Sequence, residues 1–171
     1  YENGLQLKDK LLEWKSNAWT NKYLKPKNHA QPLFLLDCEK KTDFRNHIVS
    51  AIENSKVLHR GYDPSDVPRL TASQAIADIS SSAGVVLPIL SDEITGNYYH
   101  NLRAAFMLGL CHGCDIEALA IQFGNGPAPA DYRDKITNST FRRETVQHVE
   151  AYCEATLVRN QSVARRSSRN D

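Results

Sequence analysis

The chain has 171 residues, with 21 Lys and Arg side chains against 20 Asp and Glu and a net charge of +1. This length suits one ordinary domain with a short appendage, and the balanced charge argues against nucleic acid as a partner. No apolar run approaches the roughly 18 residues of a membrane span, and Tyr1 does not open a signal peptide. We therefore expect a cytoplasmic protein with no membrane partner. The absence of an initiator Met is consistent with excision from a longer chain with further domains.

The four cysteines are too few and too scattered to predict a disulfide framework. Cys111 and Cys114 form a C-x-x-C at the end of an apolar helical stretch, where Gly113 is a plausible C-cap. The six histidines have no metal-ligand spacing. We expect reduced, buried or half-buried thiols, no bound metal and no required cofactor.

The order of predicted elements is an N-terminal helix and linker, followed by alternating strands and helices. Residues 5–24 carry an imperfect amphipathic stripe, so residues 1–30 form the helix and linker. Short apolar runs predict strands at 33–36, 57–59, 85–90 and 118–123. Helical spacing predicts helices that begin near Thr42, Thr71, Tyr98 and Phe141, the last of them running to about Val158.

The strand and helix alternation predicts an α/β fold class, a flavodoxin-like doubly wound parallel sheet of four to five strands over residues 31–158. Residues 131–134 suggest a short turn or helix, and residues 159–171 a basic, frayed tail. Pro88 donates no hydrogen bond, which counts against a regular position in a central strand. We expect strands 33–36 and 85–90 to be adjacent, and ligands to bind at the carboxyl ends of the strands.

The loop after the third strand and the start of the following helix carry the richest polar chemistry. Exposed N–H groups at a helix N-terminus favour an anion or a ligand hydroxyl, and Asp37 at the end of the first strand is placed to bind ribose hydroxyls. The predicted catalytic residues are Glu93 and Asp92, and the predicted ligand-binding residues are Asp37, Asn97, His100, Asn101 and Arg103.

Helical spacing places Asn97, His100 and Asn101 on one face of that helix and makes Arg103 the residue that points away. An alternative is that Asp92 or Thr95 only caps the helix and Arg103 is solvated. The chain has no glycine-rich dinucleotide fingerprint, no P-loop and no nucleophile elbow.

The chain resembles the superfamily that joins nucleoside 2-deoxyribosyltransferases to Toll/interleukin-1 receptor (TIR) domains. The resemblance covers residues 32–158 and is greatest to prokaryotic defence or signalling modules. It is carried by the layout of Leu33–Asp37, Phe44, Ala75–Leu90 and Asn101–Leu110, and by the segments His100–Phe106 and Pro129–Asp134.

The resemblance implies cleavage or exchange of an N-glycosidic bond by a glutamate near the start of the helix after the third strand. In this sequence His100 occupies that position, and Asp92 and Glu93 are the nearest carboxylates. Three hypotheses follow. The protein is a nucleotide- or NAD-binding signalling or defence module, with or without activity. Alternatively, it is an N-glycosidase or ribosyltransferase that uses Glu93, or a TIR-like domain that self-associates into a homo-oligomer without a ligand.

Overall fold

The structure, a computed structural model, describes residues 31–64, 69–124, 126 and 133–167, with only the backbone of 133 and 157–167. The predicted N-terminal helix and linker lie outside these residues. The strands are β1 (Leu33–Leu36), β2 (His59–Tyr62), β3 (Val85–Ile89), β4 (Ala118–Phe123) and β5 (Ile136–Ser139). The helices are α1 (Asp43–Asn54), α2 (Ala72–Ser80), α3 (Asn97–Gly113) and α4 (Arg142–Ser167), with a 3₁₀ turn at Arg133–Lys135.

All strand pairs are parallel, and the sheet order is β2-β1-β3-β4-β5. The predicted α/β flavodoxin-like doubly wound sheet is therefore confirmed, as is the adjacency of β1 and β3. The order changes direction at β1 and β3, because β2 lies outside β1 while β4 and β5 lie beyond β3. Open sheets of this kind bind ligands at such a switch point, outside the carboxyl ends of the strands.

Two apolar layers cover the two faces of the sheet. On one face α1 and α4 pack through Ile48, Ile52 and Val149 against residues such as Val86. On the other face, α2 and α3 pack against alternate strand residues. Burial of β1 and β3 on both faces explains why their sequences are continuous apolar runs.

Several predicted boundaries are wrong at the two edges of the sheet. The strand predicted at 57–59 is β2 at His59–Tyr62, and Leu58 is 70% exposed. Strand β5 was not among the individually predicted strands, because an edge strand such as ITNS needs no continuous apolar run. Both edge strands pair on one side only, which weakens their sequence signal.

The ends of two helices also differ from prediction. Helix α3 includes Gly113, and its C-cap is Cys114. Helix α4 continues to Ser167, beyond its predicted end at about Val158, and no glycine or proline interrupts this stretch. None of the helices in the described part of the chain is both long enough and apolar enough to cross a membrane.

Candidate functional site

A cavity of about 150 Å³ lies at the carboxyl edge of the sheet, where the segments after β1, β2 and β3 meet the start of α3. This is the edge at which the topology predicts a ligand site. The cavity is lined by Glu39, Lys40, Pro64, Leu90, Ile94, Thr95, Gly96, Tyr99, His100 and Arg103. Of the seven residues predicted from the sequence, the structure brings His100 and Arg103 to this lining.

His100 is the buried polar side chain of the cavity, with 5% of its surface exposed. Its Nε2 lies 2.8 Å from the carbonyl oxygen of Pro88. Because a carbonyl only accepts, Nε2 must carry the proton and donate. Burial lowers the pKa of His100, although the Pro88 contact opposes this shift, so the ring is neutral near pH 7. The Nδ1 atom is then a lone-pair acceptor, and it is buried without a hydrogen-bond partner among the residues that the structure describes.

Asp37 is buried at the end of β1, but its carboxylate is engaged within the protein. Arg45 donates from Nε and Nη2 to its two oxygens at 2.7 and 2.6 Å, and Lys41 donates from Nζ at 3.1 Å. Burial alone would raise the pKa of Asp37, but these hydrogen bonds outweigh burial and hold the pKa below its usual value. Asp37 therefore orders the segment after β1, which leaves little of its carboxylate for a ligand.

Asn101 is also committed to the backbone. Its Oδ1 accepts from the N–H of Leu90 at 2.9 Å, and its Nδ2 donates to the carbonyl oxygen of Leu90 at 2.8 Å. The side chain thus replaces a neighbouring strand where β3 ends and the loop begins. Asn101 positions the loop beside the cavity rather than lining it.

Asp92, Glu93 and Asn97 lie outside the cavity lining. Both carboxylates are exposed, and Asn97 donates from Nδ2 to Oδ1 of Asp92 at 3.1 Å. This contact resembles the helix-capping alternative, although the N-cap of α3 is Gly96 and no side-chain hydrogen bond caps it. Gly96 has φ of 87°, a left-handed conformation that favours glycine.

Arg103 lines the cavity, so the prediction that it points away is wrong. Its guanidinium lies 5.8 Å from the centre of the Tyr62 ring, at the end of β2. Position 103 follows His100 by three residues and therefore shares its helix face. Tyr62, which contacts Arg103, belongs to β2, and helical spacing within α3 cannot reveal a contact with a strand.

Sequence reasoning missed Glu39, Lys40 and Tyr99 as cavity residues. Glu39 and Lys40 follow Asp37 directly, so their position after a buried strand was the available signal. The Glu39 carboxylate lies close to the start of α3. A Cβ atom built on Gly96 would be 4.0 Å from Oε2 of Glu39. Tyr99 is 69% exposed beside the cavity.

None of the four cysteines is part of the cavity lining. Cys111 is buried and Cys114 half-buried, and both are free thiols, as Cys38 and Cys153 are. Within residues 31–64, 69–124, 126 and 133–167, no three His, Cys, Asp or Glu side chains are grouped to hold a metal ion.

No protein-family model and no curated protein matches the chain. Among solved structures, it is similar to the rubredoxin:oxygen oxidoreductase from the anaerobe Desulfovibrio gigas, at 11% sequence identity and a TM-score of 0.43. The alignment covers 80% of this chain and 39% of that one, so the chain spans well under half of that protein's length.

Proposed function

We propose that the protein binds a nucleotide or NAD-type ligand in the cavity between β1, β3 and α3. The observation that carries the proposal is His100, a buried side chain of the cavity lining whose Nδ1 has no hydrogen-bond partner among the described residues. Leaving a buried acceptor unpaired costs about 1–3 kcal/mol, so such atoms call for a specific explanation. A ligand hydroxyl or N–H that donates to Nδ1 supplies one.

The charge around the cavity favours an anionic ligand. Lys40 and Arg103 contribute two positive charges against one negative charge from Glu39, and His100 is neutral. Gly96 adds the N-terminal end of α3, where the helix dipole favours negative charge. A phosphate group fits this balance better than a metal ion or an amine.

We propose, from the size of the cavity, that it takes one part of the ligand. Drug-sized ligands occupy pockets of about 300–1,000 Å³, whereas a cavity of about 150 Å³ in another protein holds a single benzene ring. This cavity is of the latter size. We therefore place a sugar ring inside it. The exposed ring of Tyr99 offers a face on which a base can stack.

Isothermal titration calorimetry on the full chain tests the proposal, with AMP, ADP-ribose, NAD and inorganic phosphate as ligands. Lys40→Ala should weaken binding of the phosphorylated ligands roughly tenfold, the usual effect of losing a charged contact. Lys135→Ala is the matched control, since it makes the same change beside the amino end of β5. Absence of binding by all four ligands, or equal loss in the two variants, would contradict the proposal.

Cleavage of an N-glycosidic bond is a second candidate function. Its catalytic carboxylate would be Glu39 rather than Glu93, the residue predicted from the sequence. In hydrolysis, water adds to C1′, the C1′–N bond breaks, the base leaves with the bonding electrons, and a carboxylate accepts a proton from the water. Glu39 lines the cavity, whereas Glu93 and Asp92 do not. Release of nicotinamide from NAD, followed by chromatography, should then be lost in Glu39→Gln and kept in Glu93→Gln. The reverse pattern would support the assignment made from the sequence.

A further inference from the structure

We infer that Glu39 and His100 form a pair of acceptors for the two vicinal hydroxyls of a ribose, so that the site selects ribonucleotides over deoxyribonucleotides. This inference rests on the proposed function, because it identifies the part of the nucleotide that the cavity recognises. Both residues line the cavity, from the segment after β1 and from α3.

The acceptor character of both groups follows from their surroundings. The proton of His100 is committed to the Pro88 carbonyl, which leaves Nδ1 able only to accept. A carboxylate such as Glu39 also only accepts when ionised. In contrast to Asp37, whose oxygens are bound by Arg45 and Lys41, Glu39 has no hydrogen bond or ion pair with another residue in the described part of the chain.

A vicinal diol complements this pair better than the other ligands that two acceptors can bind. A divalent cation or an amine would also satisfy acceptors, but Lys40 and Arg103 line the same cavity and repel cations. A phosphate placed directly against this pair would be repelled by the Glu39 carboxylate. The two hydroxyls of a ribose are neutral donors on adjacent carbons, and the attached phosphate extends toward the cationic side chains.

The arrangement also explains why Glu39, and not Asp37 as expected from the sequence, is the carboxylate that would bind ribose. Asp37 directly follows β1 and is held by two cations, whereas Glu39 lies two residues later and reaches the start of α3 near Gly96. The carboxylate that orders the loop is thus distinct from the carboxylate that the loop presents to the cavity.

The test is a comparison of AMP with 2′-deoxy-AMP and 3′-deoxy-AMP by titration calorimetry on the full chain. The wild-type protein should bind AMP about ten- to a hundredfold more tightly than either deoxynucleotide, since each loses a hydrogen bond to a buried or charged acceptor. Glu39→Ala should reduce this preference to less than about twofold for at least one of them. The ratio of affinities is the proper measure, because removal of the Glu39 charge itself strengthens phosphate binding in all three cases.

Glu53→Ala is the matched control, because Glu53 is an exposed acid near the end of α1 and lies outside the cavity lining. It should leave the ribose preference unchanged. Equal binding of AMP and both deoxynucleotides to the wild-type protein, or an undiminished preference in Glu39→Ala, would overturn this inference while the proposed nucleotide binding stands. Failure of all nucleotides to bind would overturn both.

Discussion

Replacement of Asn101 by alanine tests whether this side chain serves the backbone or the ligand. Asn101 is 8% exposed and makes two hydrogen bonds with Leu90, itself 5% exposed. The substitution leaves a buried N–H and a buried carbonyl without partners. Each such group costs about 1–3 kcal/mol, and water that enters the space left by the side chain recovers part of this cost. We expect a loss of about 2–4 kcal/mol in the free energy of unfolding.

Urea denaturation followed by far-ultraviolet circular dichroism measures this loss. With a slope of about 2 kcal/mol per molar urea, the midpoint should fall by roughly 1–2 M while the slope stays the same. Asn97→Ala is the matched control on the same helix. Asn97 is half-buried and its amide meets the exposed Asp92, so we expect a change within about 0.5 kcal/mol.

The comparison of these two variants decides between two roles for Asn101. If Asn101→Ala is no more destabilising than Asn97→Ala, the contacts with Leu90 do not hold the loop and this reasoning is refuted. If Asn101→Ala keeps its stability but weakens ligand binding, the role predicted from the sequence is correct instead.

Three further predictions concern the sheet and its titrating groups. Tyr152→Phe removes a hydroxyl that accepts from the N–H of Val85 at 2.9 Å and donates to the carbonyl of Glu117 at 2.8 Å, and calorimetric unfolding should show a loss of about 1–2 kcal/mol. The lowered pKa of Asp37 contributes stability that is present above about pH 4 and lost as the pH falls through the folded-state value, so Asp37→Asn should be clearly destabilised at pH 7 and approach wild type in acid. The pKa of His100 is lowered by burial, so the unfolded state binds more protons below about pH 6.5 and stability falls on acidification. In His100→Gln the urea midpoint should therefore change less between pH 7 and pH 5 than in the wild-type protein.

The sequence was sufficient to predict the centre of the sheet. Strands β1 and β3 are buried throughout and β4 at its centre, so apolar runs predicted their positions, and the doubly wound topology predicted the adjacency of β1 and β3. The edge strands were harder, because β2 and β5 need apolar residues only where they meet a helix layer. In β2 only Tyr62 is buried, so the pattern gave no clear start or end.

The predicted location of the site followed from topology, whereas the roles of individual residues did not. Asp37 and Asn101 are polar residues at the expected edge, but their partners are Arg45, eight positions later, and Leu90, eleven positions earlier. Sequence spacing does not distinguish a polar group that binds the protein from one that faces a cavity. That distinction depends on which hydrogen bonds the folded chain leaves unmade.

Unequal strand lengths explain how the cavity acquires its acceptor. Strand β1 pairs with β3 at Val85 and Val86 and ends at Leu36, whereas β3 continues to Ile89 in register with β4. Beyond the end of β1, none of the described strands lies beside β3 on that side. The backbone N and carbonyl of a strand residue point to the same side of the strand. The Pro88 carbonyl meets His100, so the Pro88 nitrogen also points to this side, where no strand requires an N–H donor. The proline that counted against a central strand is tolerated because β3 is locally an edge there. This carbonyl accepts from Nε2 of His100 and fixes the proton there, so the point at which β1 ends determines that Nδ1 is the acceptor nitrogen of the ring.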